Sequence, residues 1–217
     1  MLKGKNKQKK IFNGKSQLIL VGSLLIIVGV GMIGGKYFYS YLQNRQEDKQ
    51  LEEFYEVQEE IIEEEQQPTE TEVKEEQPVQ KETKIDYVAV LKIPKIGLEK
   101  GLCKRGTYCN NVNRNIQILK ESSNPDEENG NVILAGHSGN ARISYFRKLD
   151  KLVQGDEVSI LYNGHEYKYK VVNMYDVEKT GTAHIVRNSE KNTLTLITCR
   201  HNTNKQIVVI CELTEKI

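Results

Sequence analysis

Net charge is almost absent from this sequence, and its first 35 residues lack acidic side chains altogether. The 217 residues include 31 Lys and Arg against 30 Asp and Glu, which gives a formal net charge of +1. Nucleic-acid-binding proteins usually carry a basic excess, so this balance gives no reason to expect nucleic acid as a partner. The N-terminal charges are uneven, because residues 1–16 hold six lysines whereas residues 18–35 hold no charge of either sign.

The uncharged run LILVGSLLIIVGVGMIGG has the length of a membrane-spanning helix. Eighteen residues at about 1.5 Å rise span roughly 27 Å, close to the roughly 30 Å of a bilayer core. A cleaved signal peptide is the alternative, but we find no small-residue A-x-A-like cleavage site. We therefore predict a basic cytoplasmic tail (1–16) and a single-pass transmembrane signal anchor (17–42), with the N-terminus in the cytoplasm and the rest extracellular.

The next segment, residues 43–84, is dominated by Glu, Gln, Thr and Lys. Such a composition buries too little apolar surface to offset the entropy lost on ordering, so we predict an extended acidic stalk or linker. An acidic docking motif is the alternative. A weak apolar face within residues 46–65 is compatible with a short helix. It consists of Leu51, Phe54, Ile61 and Ile62.

Residues 85–217 change to short β-type runs separated by turns, and they suffice for one domain with its own core. The dipeptide Asn163-Gly164 joins two runs and is the strongest short hairpin signal. Helical spacing is confined to residues 113–120 and 143–152. The regular spacing of strands and turns predicts an all-β domain that is either a closed barrel or a sandwich. The predicted strands are residues 87–93, 132–135, 157–162, 167–175, 193–198 and 207–213.

Four cysteines lie in this predicted domain. An even number in an exported domain favours disulfides, and Cys103 and Cys109 are close enough in sequence to be bridged, with two free thiols as the open alternative. Cys211 lies in the apolar run IVVICEL and is most simply a small core residue. Cys199 differs because it ends a strand just where the chain turns polar, a position that reaches solvent from a rigid backbone.

A nucleophilic cysteine needs a partner that handles its proton, and histidine suits this task near neutral pH. The run VILAGHSG leads an apolar strand into His137, whose small neighbours leave the imidazole open to a substrate. By spacing alone, a Cys and a His at two strand ends leave a catalytic and a structural role equally open. The remaining histidines suit surface positions and are His165, His184 and His201.

The chain resembles the sortases, the membrane-anchored cysteine transpeptidases of Gram-positive bacteria. The resemblance is carried by TLITC at 195–199, LAGHS at 134–138, and YFRKLDKLVQGDEV at 145–158. In addition, IPKIGL at 93–98 looks like the first strand of the family. A TLxTC motif with an upstream GH at this separation is a specific combination, and the likeness covers the whole predicted domain.

The resemblance implies a sortase-type eight-stranded β-barrel with short helices, preceded by the transmembrane helix and the acidic stalk. It further implies that Cys199 is the nucleophile and that His137 donates and accepts protons. The implied substrates are surface proteins with an LPxTG-like sorting signal. The implied acceptor is an amine of a peptidoglycan precursor or of a pilin. This chemistry needs no cofactor and no metal.

A third family residue, an arginine at the start of the strand after the cysteine, has no direct counterpart here. The strand begins NKQIVVICEL, which puts Gln206 at the family position with Lys205 beside it. The nearest arginine is Arg200, which period-2 alternation would direct away from Cys199 if the strand continued. We therefore expect Gln206 to occupy the substrate-stabilising position, with Lys205 and Arg200 as the other candidates.

The kind of sortase and two other functions remain open. The loop at about residues 176–192 is short, and no second apolar segment follows the domain, which favours a class A-like or class D-like enzyme. A hydrolytic cysteine peptidase would use Cys199 and His137 with water, and a binding module would carry a degenerate site. The loop acids at 126–128 are compatible with a calcium site, although solvated carboxylates are the simpler interpretation.

Overall fold

The computed structural model describes residues 14–65 and 87–217, and it divides into two compact units, Met1–Lys49 and Gln50–Ile217. The one α-helix in these described ranges is α1, Gly14–Glu65. Its portion Val21–Ile62 is long and apolar enough, by length and composition, to be a candidate membrane span. Residues 21–35 of this portion carry no charge, which is a composition suited to a bilayer core.

The helix also extends into the segment predicted as an acidic stalk. Residues 43–65 are helical, and the short helix expected over 46–65 is the continuation of α1 rather than a separate element. Helix-forming Glu and Gln dominate this stretch, and no Pro or Gly interrupts it. The remainder of the predicted stalk, residues 66–84, lies outside the described residues.

All six predicted strands are present, and two further strands complete the domain. The strands are β1 (Tyr87–Ile93), β2 (Leu98–Cys103), β3 (Gln117–Ile118), β4 (Asn131–Ala135), β5 (Glu157–Tyr162), β6 (His165–Glu178), β7 (Thr193–Cys199) and β8 (Lys205–Lys216). Sequence patterns missed β2 and β3. The first contains Gly101 and two charged residues, and the second is only two residues long, so neither shows a strong β pattern.

Three local predictions were wrong. The run IPKIGL is not a strand, because Pro94–Ile96 form a 3₁₀ turn and Gly97 has φ +65, a left-handed conformation that favours glycine. Residues 113–120 are not a helix but turns followed by β3. Residues 143–152 contain only a 3₁₀ turn, Leu149–Lys151, and their apolar spacing serves a looped segment that packs on the barrel.

The eight strands form one sheet in the order β2-β1-β5-β6-β8-β7-β4-β3. Among these strands only β4 and β7 pair in parallel, and every other neighbouring pair is antiparallel. Cα atoms of the two edge strands, β2 and β3, come within 8 Å of each other, so the sheet curls into a nearly closed barrel. The predicted eight-stranded barrel is thereby confirmed.

Alternation along β7 divides its side chains between the barrel core and the opposite face. Leu194 and Leu196 belong to the core, together with Ile207 and Val209 of the neighbouring β8. Because successive side chains of a strand point to opposite faces, Ile197 and Cys199 project from the other face of β7. The core thus holds this strand in place while leaving Cys199 at its outer end.

The last turns of α1, which belong to the same compact unit as the barrel, pack against the β5–β6 hairpin and β2. Gln58 is 6% exposed, and its Oε1 accepts a hydrogen bond from the backbone N–H of Gly164. The Tyr55 hydroxyl donates to the Glu99 carboxylate, and Lys92 Nζ lies 4.9 Å from the centroid of the Tyr55 ring. The segment predicted as a solvated spacer therefore contributes buried contacts to the domain.

Candidate active site

The parallel pairing of β4 and β7 brings two strand ends to one edge of the sheet. Ala135 is the register partner of Ile197 at the C-terminal ends of both strands. Two residues beyond this pair lie His137, in the loop after β4, and Cys199, the last residue of β7. Since parallel strands advance together, the fold brings to one place the two residues that the sequence separates by 62 positions.

Hydrogen bonds attach the loop that carries His137 to the end of β7. Gly136 donates its N–H to the Ile197 carbonyl at 3.1 Å, and the Thr198 hydroxyl donates to the Gly136 carbonyl at 2.7 Å. The Ser138 hydroxyl donates to the carbonyl of Cys199 itself. Residues on both sides of the histidine are thus anchored to residues on and beside the cysteine, and Thr198, 4% exposed, serves a structural role.

Glycine is required immediately before the histidine. A Cβ atom added at Gly136 would lie 2.9 Å from the ring of Phe146, a side chain with no solvent exposure. The Phe146 N–H in turn donates to the His137 carbonyl at 3.0 Å. The Phe146 ring therefore packs closely against the backbone next to His137. This close packing explains why a glycine precedes the histidine.

The imidazole of His137 has one side-chain partner that the sequence analysis did not identify. Its Nε2 lies 3.2 Å from Oδ1 of Asn113, an exposed residue in the loop between β2 and β3. Asn113 is 24 residues upstream of the histidine and sits among other asparagines. No spacing rule marks it, because the contact exists only after the barrel has closed.

Gln206 lies directly opposite Cys199 in the antiparallel pairing of β7 and β8. Residues that are register partners in an antiparallel pair present their side chains on the same face. Gln206 therefore shares the face of Cys199, and its amide is a hydrogen-bond donor beside the thiol. The substrate-stabilising role expected for Gln206 stays a prediction.

Of the other two candidates for the third position, Arg200 is engaged elsewhere and Lys205 is exposed. Arg200 Nε lies 2.7 and 2.8 Å from the two carboxylate oxygens of Asp176, whose register partner Ile207 belongs to the core. This pair occupies the face opposite to Gln206, as alternation predicts for Arg200. Lys205 is exposed, and its carbonyl accepts the N–H of Arg200 at 2.8 Å, which closes the β7–β8 turn.

The remaining cysteines are distinct from Cys199. Cys103 and Cys109 are joined by a disulfide, which resolves the two alternatives left open by the sequence. Cys211 is fully buried in the core, and burial raises the pKa of its thiol to about 12. A thiol in that environment is neutral and unreactive near neutral pH. Cys199 is half-buried and carries no disulfide.

The structure gives no support for a metal at the acidic loop. Glu127 uses its Oε1 to accept the N–H of Asn124 at 2.7 Å, so this carboxylate stabilises a turn. Within residues 14–65 and 87–217 no group of three or more His, Cys, Asp or Glu side chains is arranged to hold a metal ion. The simpler interpretation of these acids is consistent with this geometry.

Sequence comparison identifies relatives of the chain. A family model described as the Sortase domain matches residues 91–214, more than half of the chain. Sortase D of Bacillus subtilis (strain 168) is 34% identical over 110 residues, which cover 51% of this chain and 52% of that protein. The chain therefore spans about half the length of this relative.

Solved structures with the same fold come from three sortase classes. The Clostridium perfringens Sortase D5 transpeptidase matches with a TM-score of 0.56 and 25% identity, over 78% of this chain and 98% of that one. A lid mutant of Sortase A from Corynebacterium diphtheriae matches with a TM-score of 0.53 and 23% identity, over 59% and 70% of the two chains. Sortase C1 from Streptococcus agalactiae, at 0.53 and 24%, covers 61% and 69%. The last two show the shared fold alone. The family model, which matches more than half of the chain, establishes that this chain belongs to the sortase family.

Proposed function

We propose that this sortase cleaves an LPxTG-like sorting signal through a thioester on Cys199 and transfers the surface protein to an amine. The observation that carries the proposal is the attachment of the His137 loop to the end of β7 through Ser138 and Cys199. It supports a nucleophile and a proton-handling group at one strand edge, which is the arrangement that acyl transfer requires.

The first step forms an acyl-enzyme. The Cys199 thiolate attacks the carbonyl carbon of the threonine in the sorting signal, and a C–S bond forms. Collapse of the tetrahedral intermediate breaks the C–N bond to glycine, and the protonated imidazole of His137 gives its proton to the departing amine. The surface protein is then held as a thioester, and the glycine-bearing fragment leaves.

The second step resolves the thioester. An amine of a peptidoglycan precursor or of a pilin attacks the carbonyl carbon, and neutral His137 takes the proton that the amine loses. An amide C–N bond forms, the C–S bond breaks, and Cys199 leaves as a thiolate. The product is a surface protein covalently attached to the cell wall or to a pilus.

Gln206 fills the place of the missing arginine in this proposal. Its position opposite Cys199 supports a role as a donor to the developing oxyanion or to the substrate backbone. A neutral amide donates more weakly than a guanidinium, because charge-assisted hydrogen bonds are roughly twice as strong as neutral ones. The substitution changes the rate or the substrate range and leaves the type of reaction intact.

The proposed location is the extracellular side of the cell membrane. The candidate span in α1 supports a single-pass anchor, and the six lysines in residues 1–16 support a cytoplasmic N-terminus by the positive-inside rule. The domain from Tyr87 onward would then face the cell wall, where sorting signals and amine acceptors meet. A protease-protection assay on spheroplasts tests this topology, with cleavage in the domain as the expected result.

The experiment that tests the function is mass spectrometry of the full chain in detergent micelles with a panel of LPxTG-like peptides and small amine acceptors. Wild type is expected to yield ligated peptide and a thioester-linked protein, both absent from Cys199→Ala. Cleavage without ligation across all amines would favour a hydrolytic cysteine peptidase. A folded protein that forms neither product, and whose Cys199 is unreactive towards alkylating reagents, would indicate a degenerate site and overturn the proposal.

A further inference from the structure

We propose that the loop between β2 and β3, which the Cys103–Cys109 disulfide constrains, is a positioning element that presents Asn113 to His137 and fixes the tautomer of the imidazole. The catalytic meaning of that tautomer rests on the proposed function. The tautomer itself can be measured whether or not the proposed function holds. It assigns a role to three residues that the family motifs do not mark, on a segment that carries neither TLITC nor LAGHS.

The contact between Asn113 and His137 determines which ring nitrogen carries the proton. Asn113 Oδ1 lies 3.2 Å from Nε2, and an amide oxygen can only accept a hydrogen bond. Nε2 must therefore be the protonated nitrogen. In the neutral ring the lone pair then sits on Nδ1, so Nδ1 is the atom that accepts a proton.

A single tautomer matters because one nitrogen must exchange a proton in both halves of the reaction. If Nδ1 carried the proton in the neutral state, it could not take the proton of the incoming amine. When the ring is protonated, both nitrogens donate, and the Asn113 oxygen still accepts from Nε2. The same hydrogen bond thus orients the ring in both charge states while adding no charge of its own.

The loop around Asn113 is held by asparagine side chains. The Asn113 N–H donates to Asn111 Oδ1 at 2.9 Å, and Asn115 Nδ2 donates to the Gly101 carbonyl of β2 at 2.8 Å. Asn110 adds a pair of hydrogen bonds to the backbone of Ile118 in β3, at 2.7 and 3.1 Å. The loop is therefore tied to both edge strands of the barrel.

The disulfide closes this loop at the end of β2. It joins Cys103, the last residue of β2, to Cys109, and the sequence separation is six residues. Asn115 Nδ2, which binds the carbonyl of Gly101, lies 3.4 Å from the sulfur of Cys103. The covalent bond limits the path of the chain four residues before Asn113. An exposed asparagine in an untethered loop could not keep one distance to a half-buried ring.

The experiment measures the tautomer of His137 directly. The full chain is labelled with ¹⁵N-histidine in detergent micelles, and two-bond ¹H–¹⁵N NMR correlations report the protonated nitrogen, assigned with His137→Gln. Wild type is expected to show protonated Nε2. Asn113→Leu, similar in shape but without an acceptor, is expected to give a mixture of tautomers. Asn113→Asp keeps the acceptor oxygen and is expected to restore the wild-type pattern.

Two further variants separate positioning from general damage to the loop. Lys104→Ala is the matched control, since Lys104 is an exposed residue of the disulfide-closed segment, and this variant is expected to leave the tautomer unchanged. Cys103→Ala/Cys109→Ala is expected to shift the tautomer in the direction of Asn113→Leu. In peptide ligation, Asn113→Leu is expected to lower kcat by roughly tenfold, the worth of about one hydrogen bond, with KM within about twofold.

Unchanged ring ¹⁵N shifts in folded Asn113→Leu would overturn the inference, as would protonated Nδ1 in wild type. A disulfide-free variant that folds and retains the wild-type tautomer would overturn the role of the disulfide. These outcomes do not depend on activity. If no peptide in the panel reacts, the proposed function fails while the NMR result still decides the tautomer.

Discussion

Gln206 is the register partner of Cys199, so its amide and the thiol share one face of the sheet. The one nearby arginine, Arg200, is instead paired with Asp176 on the opposite face of the sheet. The structure thus distinguishes Gln206 from Arg200, which the sequence alone left as alternative candidates for one position. The neutral amide of Gln206 lies beside the Cys199 thiol, and the guanidinium of Arg200 pairs with Asp176.

The first prediction concerns Gln206. Gln206→Ala removes the donor opposite Cys199 and is expected to lower kcat/KM for peptide ligation by about tenfold, or roughly 1.4 kcal/mol. Gln206→Arg introduces a charge-assisted donor and is expected to match or exceed wild type. Lys205→Ala is the matched control, because that side chain is exposed, and its activity should stay within about twofold. Equal losses in both alanine variants would argue against a specific role for Gln206.

The ion pair at the barrel rim is expected to contribute little to catalysis. Arg200→Ala breaks a pair whose side chains are 38% and 31% exposed, and exposed pairs contribute about 1 kcal/mol or less. We expect near-wild-type ligation and a small decrease in the free energy of unfolding. A double-mutant cycle with Asp176→Ala checks the coupling by chemical denaturation. A hundredfold loss of activity in Arg200→Ala would return this residue to the catalytic candidates.

Alkylation is expected to distinguish the two free cysteines. The pKa of the Cys211 thiol is raised to about 12 by burial, so at pH 8 its thiolate fraction is about one in ten thousand. Iodoacetamide should label Cys199 in the folded protein and Cys211 only after unfolding, as read by peptide mass spectrometry. Labelling of folded Cys211 as fast as that of Cys199 would contradict the burial argument.

The same raised pKa has a consequence for stability. An unfolded thiol ionises near pH 9, whereas folded Cys211 stays neutral until about pH 12. The unfolded state therefore loses its proton first as pH rises. The stabilisation is fully present below pH 9 and is lost between about pH 9 and 12. Denaturation curves of wild type and Cys211→Ala should converge over that range, and a constant difference would contradict the assignment.

Gly136→Ala is expected to destabilise the site through a clash with Phe146. The added Cβ would lie 2.9 Å from an aromatic ring that is fully buried, and overpacking of this kind costs about 1–3 kcal/mol. Thermal unfolding should show a lower Tm, together with weaker ligation because His137 follows directly. Phe146→Leu should relieve part of the cost in the double variant. Additive effects of the two substitutions would show that the ring does not set the constraint.

The contact between α1 and the β5–β6 hairpin yields the last prediction. Gln58→Ala removes the acceptor for the Gly164 N–H, and an unpaired buried donor costs about 1–3 kcal/mol. We expect the variant to unfold at lower denaturant concentration than wild type. Glu59→Ala changes the next, exposed position of the same helix and serves as the control. No difference between the two variants would show that the contact does not stabilise the domain.

Local patterns predicted most of the strands, and they failed where the pattern itself was weak. Alternating β-branched and apolar residues marked β5 and β7 correctly, because a strand that packs one face on the core needs that period. The same rule missed β3, whose two residues are too few to show a period. It also wrongly predicted a helix over 143–152. The apolar residues there are three apart, but they lie in a looped segment and pack on the barrel.

The sequence by itself determined the chemistry available to this protein: a cysteine and a histidine at two strand ends, a motif specific enough to name a family, and an apolar run of bilayer length. These features can be recognised in the sequence because they depend only on residue type and on short spacings along the chain. Only the tertiary structure decided the partners. Parallel pairing of β4 with β7, the turn after Cys199 and the disulfide-closed loop brought Ser138, Gln206 and Asn113 to the site. The physical reason is that the contacts of Ser138 and Asn113 span 61 and 24 residues and form only when the barrel closes, whereas the position of Gln206 follows from the register of β7 and β8.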